Sequence, residues 1–212
     1  MIQKTIYSLF VTLFIIGCDF SETKRDTNAE DSILEHTNIP SNAYLASENK
    51  SFSIFLVDEK VGDSIAPLPP IKQVSLWAYN KKKGTDVKIL LSHPHANGSW
   101  FSMEHSVSIP LDSIPTISKV TILSWESEPL KILAEGCPDY RNIQSFIIDI
   151  NSDKAICLPT NRGLIGISEE DALLIMQSYE YYRTEDGKYN IIEGFNMDGR
   201  RICKMEAKMY HK

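Results

Sequence analysis

From residue 51 onward, apolar and polar positions alternate in short bursts divided by turn residues. Phe52, Ile54 and Leu56 alternate with Ser51, Ser53 and Phe55. The Pro-rich break Ala66-Pro67-Leu68-Pro69-Pro70 precedes a run from Ile71 to Tyr79, and the polar turn Lys81-Lys82-Lys83-Gly84 precedes Val87 to Leu91. Phe101, Met103, His105, Val107 and Ile109 then share one parity, as do Val120, Ile122 and Ser124. A period of two puts successive side chains on opposite faces of a strand. These lengths and turn residues predict five or six strands between residues 51 and 134. Beyond Cys137-Pro138-Asp139, the runs Gln144–Ile150 and Lys154–Leu158 flank the turn Asn151-Ser152-Asp153 and predict a hairpin.

One segment has a different period. Ala172, Ile175, Met176, Tyr179 and Tyr182 fall at spacings of three and four. Ser168 is placed to cap a first turn, and Glu169, Glu170 and Asp171 complement the positive end of a helix dipole. This predicts a single α-helix. Two Asp-Gly turns, at Asp186-Gly187 and Asp198-Gly199, bracket and follow Lys188–Phe195 and predict a closing β-meander. The expected fold is mainly β, an antiparallel sandwich or barrel-like sheet with one α-helix in its C-terminal half; α+β is the alternative. Residues 51–212 are expected to form one globular domain. The run from residue 137 is a candidate sub-lobe, although no flexible linker marks a boundary there.

Ahead of this domain, from Asp19 to about Lys50, the chain is rich in Ser, Thr, Asn, Asp and Glu. It reads as a flexible tether reaching roughly 30 Å end to end. Earlier still, Ile6 to Ile16 is apolar apart from small hydroxyls, with Lys4 before it. A spanning helix needs about 20 apolar residues, so this run is too short to span and suits the core of a secretory signal. It closes on Ile15-Ile16-Gly17-Cys18. That tetrapeptide resembles the lipobox of bacterial lipoproteins, with Ile15 where Leu is commoner. The resemblance covers the first eighteen residues. It implies cleavage after Gly17, diacylation of the Cys18 sulfur, residues 1–17 as signal peptide and residues 18–50 as lipidated N-terminus and tether. The chain is then expected to be lipid-anchored in the cell envelope, at the outer membrane or cell surface in a Gram-negative cell. Two acyl chains suffice for stable anchoring.

Charge narrows the partners. Losing Lys4 with the signal leaves 21 basic and 28 acidic groups, a net charge of −7 on 195 residues. Such a surface argues against nucleic acid and against an electrostatic grip on anionic lipid, leaving the anchoring to acyl chains. Cys137, Cys157 and Cys203 remain in the body; in an oxidising compartment they allow one disulfide of unknown pairing plus a free thiol, or three free thiols.

Candidate chemistry is sparse. His93-Pro94-His95 pairs two imidazoles at i and i+2, but Pro94 and the following Ala96-Asn97-Gly98-Ser99 suggest a solvent-facing turn without a third ligand. No metal or cofactor is therefore expected. His105, among alternating apolar positions, reads as a hydrogen-bonded core histidine. Gly163-Leu164-Ile165-Gly166 is followed by three acids that would repel a phosphate, so its glycines serve a tight turn or close packing. Glu126 and Glu128 suit a solvated turn edge. Trp77, Trp100 and Trp125 suit either a core or a sugar-stacking platform. GxSxG and HExxH motifs are absent, which leaves no catalytic residue to name.

Asp31-Ser32-Ile33, Asp63-Ser64-Ile65 and Asp112-Ser113-Ile114 repeat one tripeptide in tether or loop positions. They resemble the acceptor motif of the general O-glycosylation system of Bacteroidota, which implies glycans on Ser32, Ser64 and Ser113. The expectation is a non-enzymatic envelope module that binds a partner protein or glycan. An envelope hydrolase with scattered catalytic residues and a metal-handling lipoprotein are the alternatives.

Overall fold

The computed structural model describes residues 37–60, 72–92, 104–123, 130–137, 142–180 and 188–209. They belong to one compact unit, Leu34–Lys212. Among them, thirteen strands form three antiparallel sheets. Sheet I is a meander of β1 (Tyr44–Glu48), β2 (Phe52–Lys60), β3 (Lys72–Asn80) and β4 (Thr85–Leu91). Sheet II contains β5 (Val107–Pro110), β6 (Lys119–Ile122), β7 (Lys131–Gly136), β8 (Gln144–Asp149) and β9 (Lys154–Leu158), in the order β5-β9-β8-β7-β6. Sheet III is a second meander of β10 (Gly163–Ser168), β11 (Leu173–Glu180), β12 (Lys188–Asn196) and β13 (Arg201–Met209).

The sheets stack as a three-layer β-sandwich with sheet II in the middle. Phe52, Ile54, Leu56, Val74 and Leu76 of sheet I meet Ile132, Ala134, Phe146, Ile148 and Cys157 of sheet II in the first core. The alternate residues of the middle sheet, Leu133, Ile147 and Leu158, meet Leu174, Met176 and Phe195 of sheet III in the second. The strands β7, β8 and β9 thus send successive residues into two different cores. This explains the unbroken runs Ile132-Leu133-Ala134 and Phe146-Ile147-Ile148, since a strand covered on both faces has no solvent side to make polar. Pro110 lies on the edge strand β5, where a missing N–H is tolerated.

The expected helix is not formed. Glu169–Ala172 is instead a hairpin turn, and residues 173–180 form β11, paired with β12 from Leu173↔Asn196 to Glu180↔Tyr189. The run Leu173-Leu174-Ile175-Met176 satisfies a period of two as well as a helical one. Leu174 and Met176 enter the second core, and Leu173 and Ile175 lie on the opposite face. Turn and helix start also share a vocabulary of Ser and acids. Here the Ser168 hydroxyl lies 3.1 Å from the Asp171 carboxylate, inside the turn, rather than capping a helix. Ala172 takes the left-handed conformation (φ 51°) that closes the turn.

Two further expectations change. The fold begins before residue 50, because Ile39 is buried and β1 pairs with β2; an edge strand carrying Ser47 and Glu48 resembles a tether in composition. His105 is exposed and lies in the bend preceding β5, so the alternation that included it ran past the start of the strand. The β8–β9 hairpin and the turn at Asp198-Gly199 form as expected.

Candidate functional site

A cleft of about 520 Å³ opens between the edge of sheet II and the turn joining β12 to β13. Ile156 supplies its apolar surface, with the fully buried Phe195 behind it, and Glu104, His105, Ser106 and Ser108 form one wall. Asp198, Gly199, Arg200 and Arg201 form the other. Asn196 shapes the second wall. Its side-chain oxygen accepts the N–H groups of Asp198 (3.1 Å) and Arg200 (2.8 Å), folding the chain back within four residues. Gly199 has φ 74°, and an added Cβ would sit 2.5 Å from Ile156 Cγ2, so only glycine lets the turn lie this close to the middle sheet.

Two contacts join the walls. The Ser106 hydroxyl donates to the Gly199 carbonyl at 2.6 Å, and Arg201 Nη2 donates to the Glu104 carbonyl at 2.9 Å. Arg201 Nε also lies 2.7 Å from a Glu193 carboxylate oxygen, off the line of a good hydrogen bond, so this contact is mainly ionic. The guanidinium sits 5.8 Å from the Phe195 ring centre. Glu193 is 3% exposed. Burial pushes its carboxyl above the ordinary range; Arg201 and Lys204 pull it down and Glu206 pushes it up. On the opposite side Lys131 holds Asp198 at 2.9 Å. Among the described residues, His105, Ser108 and Arg200 have no side-chain hydrogen bond or ion pair, so the cleft presents an imidazole, a hydroxyl and a guanidinium to solvent.

A second polar site lies between sheets II and III. The Glu135 carboxylate, 3% exposed, accepts the Leu164 N–H at 2.7 Å and stands 3.1 Å from Lys119 Nζ. Gly163 has φ 81°, and a Cβ there would collide with the same carboxylate. Glu135 therefore positions the start of β10, and its neighbour must be glycine. The expectation of close packing at Gly163 is met by this contact.

A concavity of about 540 Å³ beside β1 and β6 is comparable in size. Its Glu48 is already held by Lys81 at 2.8 Å, and Lys50 is engaged as well. The cleft beside β5 is the stronger candidate because its polar groups are available.

Of the residues singled out from sequence, Gly17, Cys18, Ser32, Ser64, His93, His95, Trp100, Trp125, Glu126 and Glu128 lie outside the described residues. Ser113 sits half-buried in the short 3-10 turn Leu111–Ser113 between β5 and β6, 3.4 Å from the Asp112 carboxylate. Cys137, Cys157 and Cys203 are free thiols: Cys137 is exposed, Cys157 is buried in the first core and Cys203 is half-buried on β13. Burial alone raises the Cys157 thiol to about 12. Trp77 is half-buried, donates to the Ser75 hydroxyl at 3.2 Å and has Lys88 Nζ 5.8 Å from its ring. Among the described residues no three His, Cys, Asp or Glu gather as a metal site.

Sequence reasoning missed the cleft, whose walls come from residues about ninety positions apart. Asp198-Gly199 was visible as a turn, and His105 was singled out but assigned to the core. No family model matches the chain, and no curated protein or solved structure is significantly similar to it.

Proposed function

We propose that this chain is a membrane-anchored envelope lipoprotein whose β domain is a non-enzymatic binding module for a partner protein or glycan, with the cleft beside β5 as its binding site. The observation that carries this reading is the set of unengaged polar groups, His105, Ser108 and Arg200, set around the apolar surface of Ile156. Binding sites combine a concave apolar surface with a few placed polar groups that fix orientation. The lipobox-like Ile15-Ile16-Gly17-Cys18 supports the anchor, and the acidic balance supports acyl chains over charge as the attachment.

The test is titration of the chain with cell-envelope oligosaccharides and acidic or neutral envelope peptides, alongside Arg200→Glu and Ser108→Arg. Binding weakened tenfold or more by either variant, equivalent to about 1.4 kcal/mol, supports the reading. Binding indifferent to both places the site elsewhere.

A hydrolase is the second reading, favoured by one observation: His105, Ser106, Ser108 and Asp198 line the same cleft. Multiple turnover of an envelope ester or glycoside, abolished in His105→Ala, would replace the binding module with an enzyme.

A further inference from the structure

Arg201 holds two parts of the molecule at once. Its Nε faces the Glu193 carboxylate at 2.7 Å, and its Nη2 clasps the Glu104 carbonyl at 2.9 Å. The guanidinium thereby ties the wall at residues 104–106 to β13. Ser106 with Gly199 is the second tie. The Glu193 side chain is enclosed, whereas that of Arg201 is about one-third open to water, so one partner is fixed and the other can leave.

We propose that Glu193 and Arg201 form a proton-operated latch on the cleft. With Glu193 ionised, Arg201 stays over Phe195 and clasps Glu104; with Glu193 protonated, Arg201 turns to solvent and the 104–106 wall is released. The latch rests on the reading of this cleft as the binding site and adds its regulation.

The charged groups acting on Glu193 are Arg201, Lys204 and Glu206, all from β13. From β11 its register partner is Met176. The middle sheet presents Leu133, Ile147 and Leu158 to this core. The charged residues of the same parity in that sheet are Lys119, Lys131, Glu135, Asp149 and Lys154; Lys131 is held by Asp198, and Glu135 by Lys119 and the Leu164 N–H. The released wall carries Glu104 and His105. Arg201 opposes protonation of Glu193. Reciprocity then requires a proton on Glu193 to weaken the hold on Arg201 by the same factor. Burial outweighs the two cations, so the carboxyl takes its proton above the ordinary carboxyl range and the latch answers to mild acid.

Hydrogen–deuterium exchange of the full chain, without ligand and corrected for the intrinsic pH dependence of exchange, tests this. Protection of the β5 amides, which continue the wall, should fall about fivefold or more on acidification from about pH 7 to about pH 5, while β8 stays protected. Glu193→Gln should show the released wall already at neutral pH, with a flat profile. Arg201→Gln should do the same, and serves if the first variant does not fold. A flat profile in the unsubstituted chain, or Glu193→Gln tracking it, overturns the latch. Because no ligand enters the measurement, a failed latch leaves the binding reading standing, and a cleft that binds nothing leaves the latch to be judged on its own.

Discussion

Gly163→Ala isolates how sheet III is fixed to the middle sheet. Glycine occupies a left-handed backbone there, with φ 81°, where an L side chain costs about 1 kcal/mol. The added methyl would also meet the Glu135 carboxylate, which must then move away from the Leu164 N–H it accepts at 2.7 Å. A hydrogen bond to an ionised group contributes about 1.5–3 kcal/mol. Alanine loses less entropy on folding than glycine and returns roughly 0.5 kcal/mol. The net expectation is a loss of about 2–4 kcal/mol. Urea unfolding followed by tryptophan fluorescence should show it as a lower midpoint at unchanged slope. The companion is a double-mutant cycle with Glu135→Ala, in which removing the carboxylate relieves the collision. The two changes should then couple by more than about 1 kcal/mol. A loss below about 1 kcal/mol, or strict additivity in the cycle, would refute the role assigned to Glu135.

Four other outcomes follow from the same geometry. Ala172→Gly removes a side chain from a left-handed turn position and should stabilise the chain by about 1 kcal/mol, read as a higher Tm; an unchanged or lower Tm refutes it. Leu133→Ala opens a void in the second core and should cost about 2–5 kcal/mol in the same urea assay. Cys157, with its thiol at about 12, should resist alkylation in the folded chain near neutral pH and react only on unfolding, whereas exposed Cys137 labels at once; mass spectrometry of the labelled peptides decides. Glu193 binds its proton more tightly folded than unfolded, so its contribution to stability is present below the ordinary carboxyl range and is lost as pH rises through its higher folded value. Glu193→Gln should lack that decline, and a parallel pH profile of unfolding free energy would contradict the assignment.

The β character was legible because alternation leaves a direct imprint on sequence. Phe52, Ile54 and Leu56 do face the first core. The three layers were not, because runs such as Phe146-Ile147-Ile148 record that both faces are buried without recording by what. The helix assigned to residues 168–182 failed where a continuous apolar run fits two periods. There, pairing with β12, the next strand along the chain, decides, and the period within residues 172–182 does not record that pairing. The cleft was hidden for a related reason. Ser106 and Gly199 are 93 positions apart, and neither has a local feature that points to the other. Glu193 and Arg201 are close in sequence, yet the burial that gives the pair its character depends on sheet packing.

The strand order of the middle sheet also sets a timetable for a chain appearing N-terminus first. Sheet I is a complete meander by Leu91, but the sheet that covers it remains open until the β8–β9 hairpin enters between β5 and β7. The β5–β9 pairing joins Val107 to Cys157, so about fifty residues must appear after β5 begins before its neighbour exists. Until then Ile54, Leu56 and Leu76 have no finished layer against them. The nascent chain therefore passes through a long sticky interval in which those side chains are open to pairing with another copy.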